Sequence, residues 1–248
     1  NTDSYMTESE TIRGDATLKQ VSHYKGTEAG EEYIDWSQEW NYNGSLSKTV
    51  TIYTNDADGI LLNSTVYKDK KALAITVKPT SVQLLVAADF QKKSYTLYQN
   101  SGTKGSEKSD YTENYKADGS VDTKTTYFYH ITADEAPGED LNGNGIMGEH
   151  GVSIEVNAVS ANTDSYMTKS VTRRGTASGS ALKQIAFYKN AVKGDELIDW
   201  SMEYNLAGTR RKTVTIYGYG ATPTTLDCLR SSTVYKDESI SDIVFATE

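Results

Sequence analysis

The sequence predicts an all-β protein of tandem antiparallel β-hairpins, stacked as an elongated array or arranged as tandem sandwich-like modules. Residues 30–69 return in large part at 194–237 and in a divergent form at 105–129, so the chain contains an internal repeat. Within each copy apolar and polar residues alternate with a period of two, which is typical of strands with one buried face. The 18 tyrosines suit such strands, because the apolar ring of a tyrosine can be buried while its hydroxyl forms a hydrogen bond.

The repeat predicts three segments. Residues 1–70 form the first β copy and residues 161–248 form the third. Between them, residues 71–160 hold connecting strands and the divergent second copy, which includes an acidic loop at 131–151. The heptapeptide Asn-Thr-Asp-Ser-Tyr-Met-Thr opens the first copy and recurs identically in the third. We therefore expect the chain to be part of a longer series of such copies.

The first copy shows the alternation most clearly. Ile34, Trp36, Gln38, Trp40 and Tyr42 share one predicted face, whereas the polar residues between them share the other. The positions that persist between copies are aromatic residues and turn glycines. We interpret them as the structural repeat positions that build and stack a hairpin: Trp36, Tyr111, Trp200, Gly44, Gly119 and Gly208.

Strands are predicted around these positions. Residues 18–25 and 182–189 alternate in polarity and precede the aromatic strand, and the β-branched stretch 48–54 follows it. A further strand is predicted at 60–68, after an Asp-Gly turn, and another at 152–159, leading into the third copy.

Glycine-containing dipeptides mark the turns. Asn43–Gly44 and Asp118–Gly119 predict tight hairpin turns in which both central residues need positive φ. Ala207–Gly208 departs from that chemistry and predicts another turn type. Two short insertions in the third copy, near 176–180 and 218–227, also mark turns, because loops tolerate insertions.

The most apolar run in the chain is 81–89, which fits either a fully buried strand or a short helix. Lys78, Pro79 and Thr80 separate this run from residues 74–77, so we favour two strands around a turn. No other stretch of the sequence predicts a helix.

Composition excludes some functions and favours a location. The net charge of −9 argues against nucleic acid as a partner, since phosphates would be repelled. No apolar run approaches the ~20 residues of a membrane-spanning helix, so we expect no membrane insertion. The acidic, Thr-, Ser-, Asn-, Gly- and Tyr-rich balance is similar to that of secreted bacterial proteins and predicts an extracellular or cell-surface location. Cys228 is the single cysteine, which excludes an intrachain disulfide, and we expect it to be buried as a small apolar residue.

One loop carries a candidate metal site. Asp140, Asn142 and Asn144 place oxygen ligands at alternate positions before Gly145, as in the first half of an EF-hand-type calcium loop. The acid expected near the end of such a loop is replaced by Gly151. Glu149 can substitute for it, with Glu139 and Asp134 nearby; the alternative is a polar turn without metal. The sequence thus predicts calcium as a cofactor, held by four residues: Asp140, Asn142, Asn144 and Glu149.

No catalytic constellation is evident. His23, His130 and His150 are the only histidines, and His23 aligns with apolar Leu97 and Phe187, which favours packing over catalysis. No Gly-x-Ser-x-Gly turn or shared histidine supports a nucleophilic triad. We therefore expect no enzyme.

An acid precedes the aromatic position in each copy: Asp35, Asp110 and Asp199. Acid and ring side by side can form a sugar-binding platform. Neighbours in a strand point to opposite faces, however, so the interpretation we favour is an ordinary strand with the acid outward and the ring inward.

The pattern Tyr-Asn-x-x-Gly, followed by a β-branched strand, Asp-x-Asp-Gly and Ser-Thr-Val-Tyr-Lys-Asp, resembles the YD repeats of large bacterial surface and Rhs-type toxin proteins over about half of the chain. That resemblance implies extended β structure wound from hairpins. It also implies a structural or encapsulating role, with chemistry held elsewhere in the polypeptide.

These patterns predict a structural repeat segment of a large bacterial surface, sheath or filament protein. Such a segment would associate with further copies of itself, or with adjacent repeats of the same polypeptide, through β-edges or end-to-end stacking. The alternative is an adhesin-type binding module that recognises glycan or a host surface through exposed tyrosine and tryptophan.

Overall fold

The computed structural model describes residues 4–72, 75–99, 102–220 and 228–237. It contains fourteen β-strands, and the pairings between them are antiparallel. The predicted all-β class of successive hairpins is therefore confirmed. The chain divides into two compact units, residues 1–122 and 123–248, which are described separately.

In unit 1 each strand pairs with the next strand along the chain, and a short helix, α1 (Ser81–Leu84), precedes β6. The strands are β1 (Glu8–Ile12), β2 (Leu18–Lys25), β3 (Tyr33–Trp40), β4 (Ser47–Asn55), β5 (Leu61–Asp69), β6 (Phe90–Gln99) and β7 (Lys108–Tyr115).

Unit 2 follows the same rule, except that β9 adds to the end of β8, and β10 pairs with the earlier part of β8. A single 3₁₀ turn, Ala158–Ser160, follows β9. The strands are β8 (Val121–Ala133), β9 (Val152–Asn157), β10 (Met167–Arg174), β11 (Leu182–Lys189), β12 (Leu197–Tyr204), β13 (Arg211–Tyr219) and β14 (Leu229–Lys236).

Alternating polarity placed most strands correctly. The predicted strands at 18–25 and 182–189 are β2 and β11, with the same bounds. The insertion near 176–180 lies in the turn between β10 and β11, as predicted. Most of the insertion near 218–227 lies outside the described residues.

The hairpin turns differ from the prediction. The N–H of Gly44 donates to the carbonyl of Asn41 at 3.0 Å, and the N–H of Gly208 donates to that of Asn205 at 2.9 Å. Both glycines have positive φ, at +66° and +72°, whereas the residues before them do not. Each loop is thus a longer turn closed by one left-handed glycine. Only the glycine is constrained, so Ala207–Gly208 forms the same turn as Asn43–Gly44, and the predicted second turn type is wrong.

The strict alternation of β3 is also broken. His23 pairs with Trp36, but the next residue of β2, Tyr24, pairs with Ile34. Asp35 is therefore the extra residue of a β-bulge, which bends the strand and re-aims its side chain. The equivalent bulges lie at Asp110 in β7 and Asp199 in β12. The predicted unbroken stripe from Ile34 to Tyr42 is wrong, because a bulge depends on pairing with the neighbouring strand.

The strands that carry Trp36 and Trp200, β3 and β12, are covered on both faces near their middle. Val50 is fully buried in unit 1, and Met202 and Val214 are buried in unit 2. On the opposite face, Ser37 and Ser201 are each only 2% exposed. Tyr53 bonds Ser37, and burial raises the pKa of its phenol. The prediction of one solvent-exposed face fails here, since Ser37 and Ser201 are both buried and, in unit 1, Tyr53 of the neighbouring strand bonds Ser37.

The segment between β5 and β6 is not a pair of strands. Its apolar run forms the one-turn helix α1, and Leu85 and Val86 after it are exposed. Thr80 and Gln83 make a capping box, in which the Thr80 N–H donates to Gln83 Oε1 at 2.8 Å and the Gln83 N–H donates to Thr80 Oγ1 at 3.3 Å. This capping box stabilises a helix at a segment whose periodicity fits either a strand or a helix.

The hydrogen bonds reveal a repeat of four strands. We call β1, β5, β10 and β14 the lead strands, because each of the first three carries a serine whose hydroxyl bonds a tyrosine hydroxyl on the next strand of the same hairpin. These pairs are Ser9–Tyr24 at 3.0 Å, Ser64–Tyr98 at 3.4 Å and Ser170–Tyr188 at 3.3 Å. The fourth lead strand, β14, has Ser232 at the matching position of its sequence.

Candidate functional site

A glutamate clip recurs three times along the chain. In each, a carboxylate in the loop before the aromatic strand accepts a hydrogen bond from a backbone N–H at the start of a lead strand, two strands away. The clips are Glu32 with Met6 at 2.8 Å, Glu107 with Leu61 at 3.0 Å and Glu196 with Met167 at 2.9 Å. Sequence reasoning missed these glutamates. The signal was a Gly-x-Glu triplet at 30–32, 105–107 and 194–196.

An arginine clamp holds the opposite ends of the hairpins in the first and third copies. Arg13 donates to the Leu18 carbonyl at 2.6 Å and to the Trp40 carbonyl at 3.1 Å. Arg174 makes a similar pair of bonds from its Nη1 alone, to the Leu182 carbonyl at 2.8 Å and to the carbonyl of Asn205, one residue after the counterpart of Trp40, at 3.1 Å. Each guanidinium thus joins one hairpin turn to the next, as its planar fork of donors allows.

The turn glycines pack against these clamped turns. A Cβ on Gly44 would lie 2.9 Å from the Leu18 backbone nitrogen, and one on Gly208 would lie 2.3 Å from that of Leu182. A Cβ on Gly119 would meet nothing within 4 Å. The three predicted repeat glycines therefore share a conformation, but only two of them also mark a close approach of backbones.

The recurring aromatic residues pack against the neighbouring strand, and Trp36 is buried whereas Tyr111 and Trp200 are half-buried. Trp36 is buried and stacks on His23 with ring centroids 3.9 Å apart, and Trp200 stacks on Phe187 at 4.0 Å. In the second copy Tyr111 pairs with Leu97 across the strands. The expected packing role of His23 is thus confirmed; its Nδ1 also lies 3.1 Å from Glu8.

The acid beside the aromatic ring does not simply point outward. Asp35 is only 8% exposed and lies 2.8 Å from Lys25 Nζ and 2.6 Å from Lys78 Nζ. Asp199 pairs with Lys189 at 3.0 Å. The outward orientation predicted for Asp35 is wrong, because the bulge removes it from the alternation and turns it toward two lysines.

The structure brings the four predicted calcium ligands together in one loop. The carboxylate of Asp140 accepts the N–H groups of Gly143, Asn144 and Gly145 at 2.7–3.1 Å. The amides of Asn142 and Asn144 lie 3.4 Å and 2.7 Å from Glu149 Oε2. Asp140 therefore organises the turn, and the two asparagines converge on the same carboxylate.

Two further acids support this loop. Glu135 is buried and accepts the N–H groups of Leu141 at 2.8 Å and Glu149 at 3.1 Å. Asp134 accepts the Gly151 N–H at 2.8 Å, and this bond, with His150 nearby, lowers the pKa of its carboxyl. No group of three or more His, Cys, Asp or Glu side chains within the described ranges could hold a metal ion. Calcium would therefore depend on two carboxylates and two amides, and it stays a prediction.

One cluster of coupled ionisable groups lies on β6 and β7, and the sequence did not point to it. Lys92 Nζ donates to the Tyr115 hydroxyl at 2.9 Å, which donates to Glu113 Oε2 at 2.7 Å. The ammonium also lies over the rings of Tyr95 and Tyr115. Burial lowers the pKa of Lys92 and, together with the Glu113 bond, raises that of Tyr115. This arrangement stabilises the pairing of two strands through cation–π contacts.

The remaining histidines and the cysteine have different surroundings. His130 in β8 stacks on Tyr166 with ring centroids 4.6 Å apart, and His150 is exposed beside Asp134. Cys228 is exposed, so its predicted burial is wrong. It directly precedes β14, whose outer edge has no strand beside it among the described residues.

The last lead strand, β14, is the most exposed of the described strands of unit 2. Leu229, Val234 and Tyr235 of β14 are 55%, 62% and 54% exposed. Their counterparts in β5 are half-buried, because β5 has β6 on its other side. The edge of β14 therefore offers the surface that β5 offers to β6.

Comparison with known proteins adds no family: no family model and no curated protein matches the chain. Within the described part of the chain, no helix is long and apolar enough to cross a membrane.

Proposed function

We propose that the chain is a structural repeat segment of a large extracellular bacterial surface, sheath or filament protein, and that it assembles by adding a strand at the β14 edge. The observation that carries this proposal is the equivalence of β14 and β5. The two strands share the sequence Ser-Thr-Val-Tyr-Lys-Asp, yet β5 is covered by a following strand and β14 is exposed. An unpaired edge strand is a template for strand addition.

The repeat specifies the kind of strand that fits. Lead strands β1, β5 and β10 each pair with a following strand that carries a tyrosine whose hydroxyl bonds the lead-strand serine: Tyr24, Tyr98 or Tyr188. A strand of this type at β14 would place its tyrosine against Ser232. A glutamate from the loop after the added strand would reach the N–H of Leu229, as Glu107 reaches that of Leu61. The strand can come from an adjacent repeat or from another copy of the chain.

Peptide binding and self-association together test this proposal. A peptide with the sequence of β6 should bind the chain, and its Tyr98→Phe form should bind more weakly. Val234→Lys should abolish binding by placing a charge on the exposed strand, whereas Val192→Lys, which adds the same charge in an exposed loop, should not.

Sedimentation over a concentration series then separates the two sources. Concentration-dependent association that Val234→Lys removes indicates another copy as the donor of the strand. Peptide binding by a strictly monomeric chain indicates an adjacent repeat. A chain that stays monomeric and binds no peptide overturns the proposal.

The adhesin alternative has weaker support from the geometry. A glycan platform needs open aromatic faces, but Trp36 is buried against His23 and the Trp200 ring is stacked on Phe187. We infer that these rings serve packing, and that calcium, if bound at the Asp140 loop, would stabilise that loop.

A further inference from the structure

A cleft of about 310 Å³ lies between the end of β5 and the start of β6 in unit 1. Its lining combines apolar residues, chiefly Ile75, Pro79 and Phe90, with the polar side chains of Asp69 and Gln83. Lys71 and Asp89 also border it and form an ion pair with each other at 2.7 Å. With that lysine already paired, Asp69 supplies the remaining charge of the lining. The volume is at the lower end of the range typical of small-molecule sites.

Asp69 is only half satisfied. It is 4% exposed, and its Oδ1 accepts the N–H groups of Lys71 at 2.9 Å and Ala72 at 3.0 Å. Its Oδ2 is buried and has no hydrogen-bond partner. A buried carboxylate oxygen without a donor is unfavourable, and such a group calls for an explanation.

The third copy shows what is missing. Asp237 ends the same Ser-Thr-Val-Tyr-Lys-Asp sequence, and its Oδ2 is paired with Nε of Arg211, which is buried. The position of Arg211 is occupied in the first copy by Ser47, whose hydroxyl instead accepts from Gln38 Nε2 at 2.7 Å. The first copy therefore keeps the carboxylate and lacks the guanidinium.

A second unpaired atom belongs to the strand partner of Ser47. Trp40 pairs with Ser47 across β3 and β4, and its indole Nε1 is buried without a hydrogen-bond partner. Among the described residues, Trp40 Nε1 and Asp69 Oδ2 are the buried side-chain atoms left without a partner. Asp69 is the counterpart of the residue that pairs with Arg211, and Trp40 is the strand partner of the residue that replaces Arg211.

We propose that the Asp69 cleft binds a guanidinium group carried on a short aliphatic stem, which takes the place that Arg211 fills in the third copy. The guanidinium pairs with Asp69, since planar donors match a carboxylate. Its stem packs on Ile75, Pro79 and Phe90, as arginine stems pack along apolar surface. This inference is independent of strand addition at β14.

The test uses agmatine, a guanidinium on a four-carbon stem, titrated into the full chain and followed by NMR. We expect saturable shifts at residues lining the cleft, and at least a tenfold weaker effect from N-carbamoylputrescine, which replaces the guanidinium with a neutral urea. Nα-acetylarginine amide tests the source: binding as tight as that of agmatine indicates an arginine side chain of a protein, and selective binding of agmatine indicates a free small molecule.

Two variants locate the site. Asp69→Asn should weaken agmatine binding at least tenfold, and Ser47→Arg should abolish it by supplying the guanidinium from within, while raising the melting temperature. Asp237→Asn, the matched change in the third copy, should leave agmatine binding unchanged. No saturable binding by the wild-type chain, or equal binding by the wild type and Ser47→Arg, overturns the proposal. Should Asp69→Asn fail to fold, the Ser47→Arg comparison decides.

Discussion

Substitution of alanine for each of the three hairpin glycines distinguishes two reasons for glycine in these turns: a positive φ and a close approach of neighbouring backbone. Gly44, Gly119 and Gly208 all have positive φ, between +66° and +84°. An L side chain in this region costs roughly 1–2 kcal/mol. If conformation were the whole requirement, the three alanine variants would lose similar amounts of stability.

Packing predicts a graded result instead. The Cβ of alanine meets open space at Gly119, a backbone nitrogen at 2.9 Å at Gly44 and one at 2.3 Å at Gly208. Overpacking of this kind adds about 1–3 kcal/mol. We therefore expect losses of about 1 kcal/mol for Gly119→Ala, about 2–3 for Gly44→Ala and about 3–5 for Gly208→Ala.

Urea denaturation measures these differences, with tryptophan fluorescence as the probe. Trp36 and Trp40 report on unit 1, which contains Gly44 and Gly119, and Trp200 reports on unit 2. Gly14→Ala is the control, since a Cβ there meets nothing within 4 Å and φ is not positive, so its effect should stay within about 0.5 kcal/mol. Equal losses at Gly119 and Gly208 would refute the reasoning that backbone approach distinguishes these turns.

Three further predictions follow from the described contacts. Glu107→Ala removes the acceptor of the Leu61 N–H and should cost about 1–3 kcal/mol in urea denaturation, while exposed Glu10→Ala should cost little; equal effects would show that the clip adds nothing. Calcium should raise the melting temperature and Asp140→Asn should cancel that rise; if EDTA and calcium leave it unchanged, the loop is only a turn. Burial raises the pKa of Tyr53 and Tyr67 above the ordinary 10.0, so the stability they contribute is complete below pH 10 and lost as pH rises through the raised values. Ultraviolet titration should show tyrosines ionising late, together with unfolding; a titration with all tyrosines at the ordinary pKa would contradict this.

The sequence predicted the parts of the fold that depend on local pattern. Period-two alternation of polarity located β2 and β11 with their observed bounds, and alignment of the copies made His23, Leu97 and Phe187 equivalent. The structure pairs each of these three residues with the recurring aromatic residue of the next strand. These features repeat because each hairpin packs the same kind of side chain against the recurring aromatic residue.

Features set by pairing between strands escaped prediction. The bulge at Asp35 arises from the register between β2 and β3, and its burial follows from that register. The clip from Glu107 to Leu61 joins residues far apart in sequence, so no window of neighbouring residues contains it. The capping box of α1, in contrast, is local in sequence, since Thr80 and Gln83 are three residues apart, and the apolar run that follows Thr80 fits a strand as well as a helix.

The candidate sites divide in the same way. The four residues of the predicted calcium loop do lie together, because Asp140 accepts backbone N–H groups of the loop and both asparagines donate to Glu149. The Oδ2 atom of Asp69 lacks a partner, and this is informative only beside the third copy, where Asp237 pairs with Arg211. The sequence alone does not predict that pairing. The absence of a guanidinium at Asp69 can be recognised only because Arg211 supplies one at the equivalent position of the third copy.

The glutamate clip also bears on how such a chain could change in length. Each clip joins a loop to the lead strand only two strands away, and its donor is a backbone N–H that any residue except proline supplies. Duplication or loss of one four-strand unit would therefore leave every remaining clip with an acceptor and a donor. Repeat number could then vary between related proteins by recombination, without compensating substitutions elsewhere.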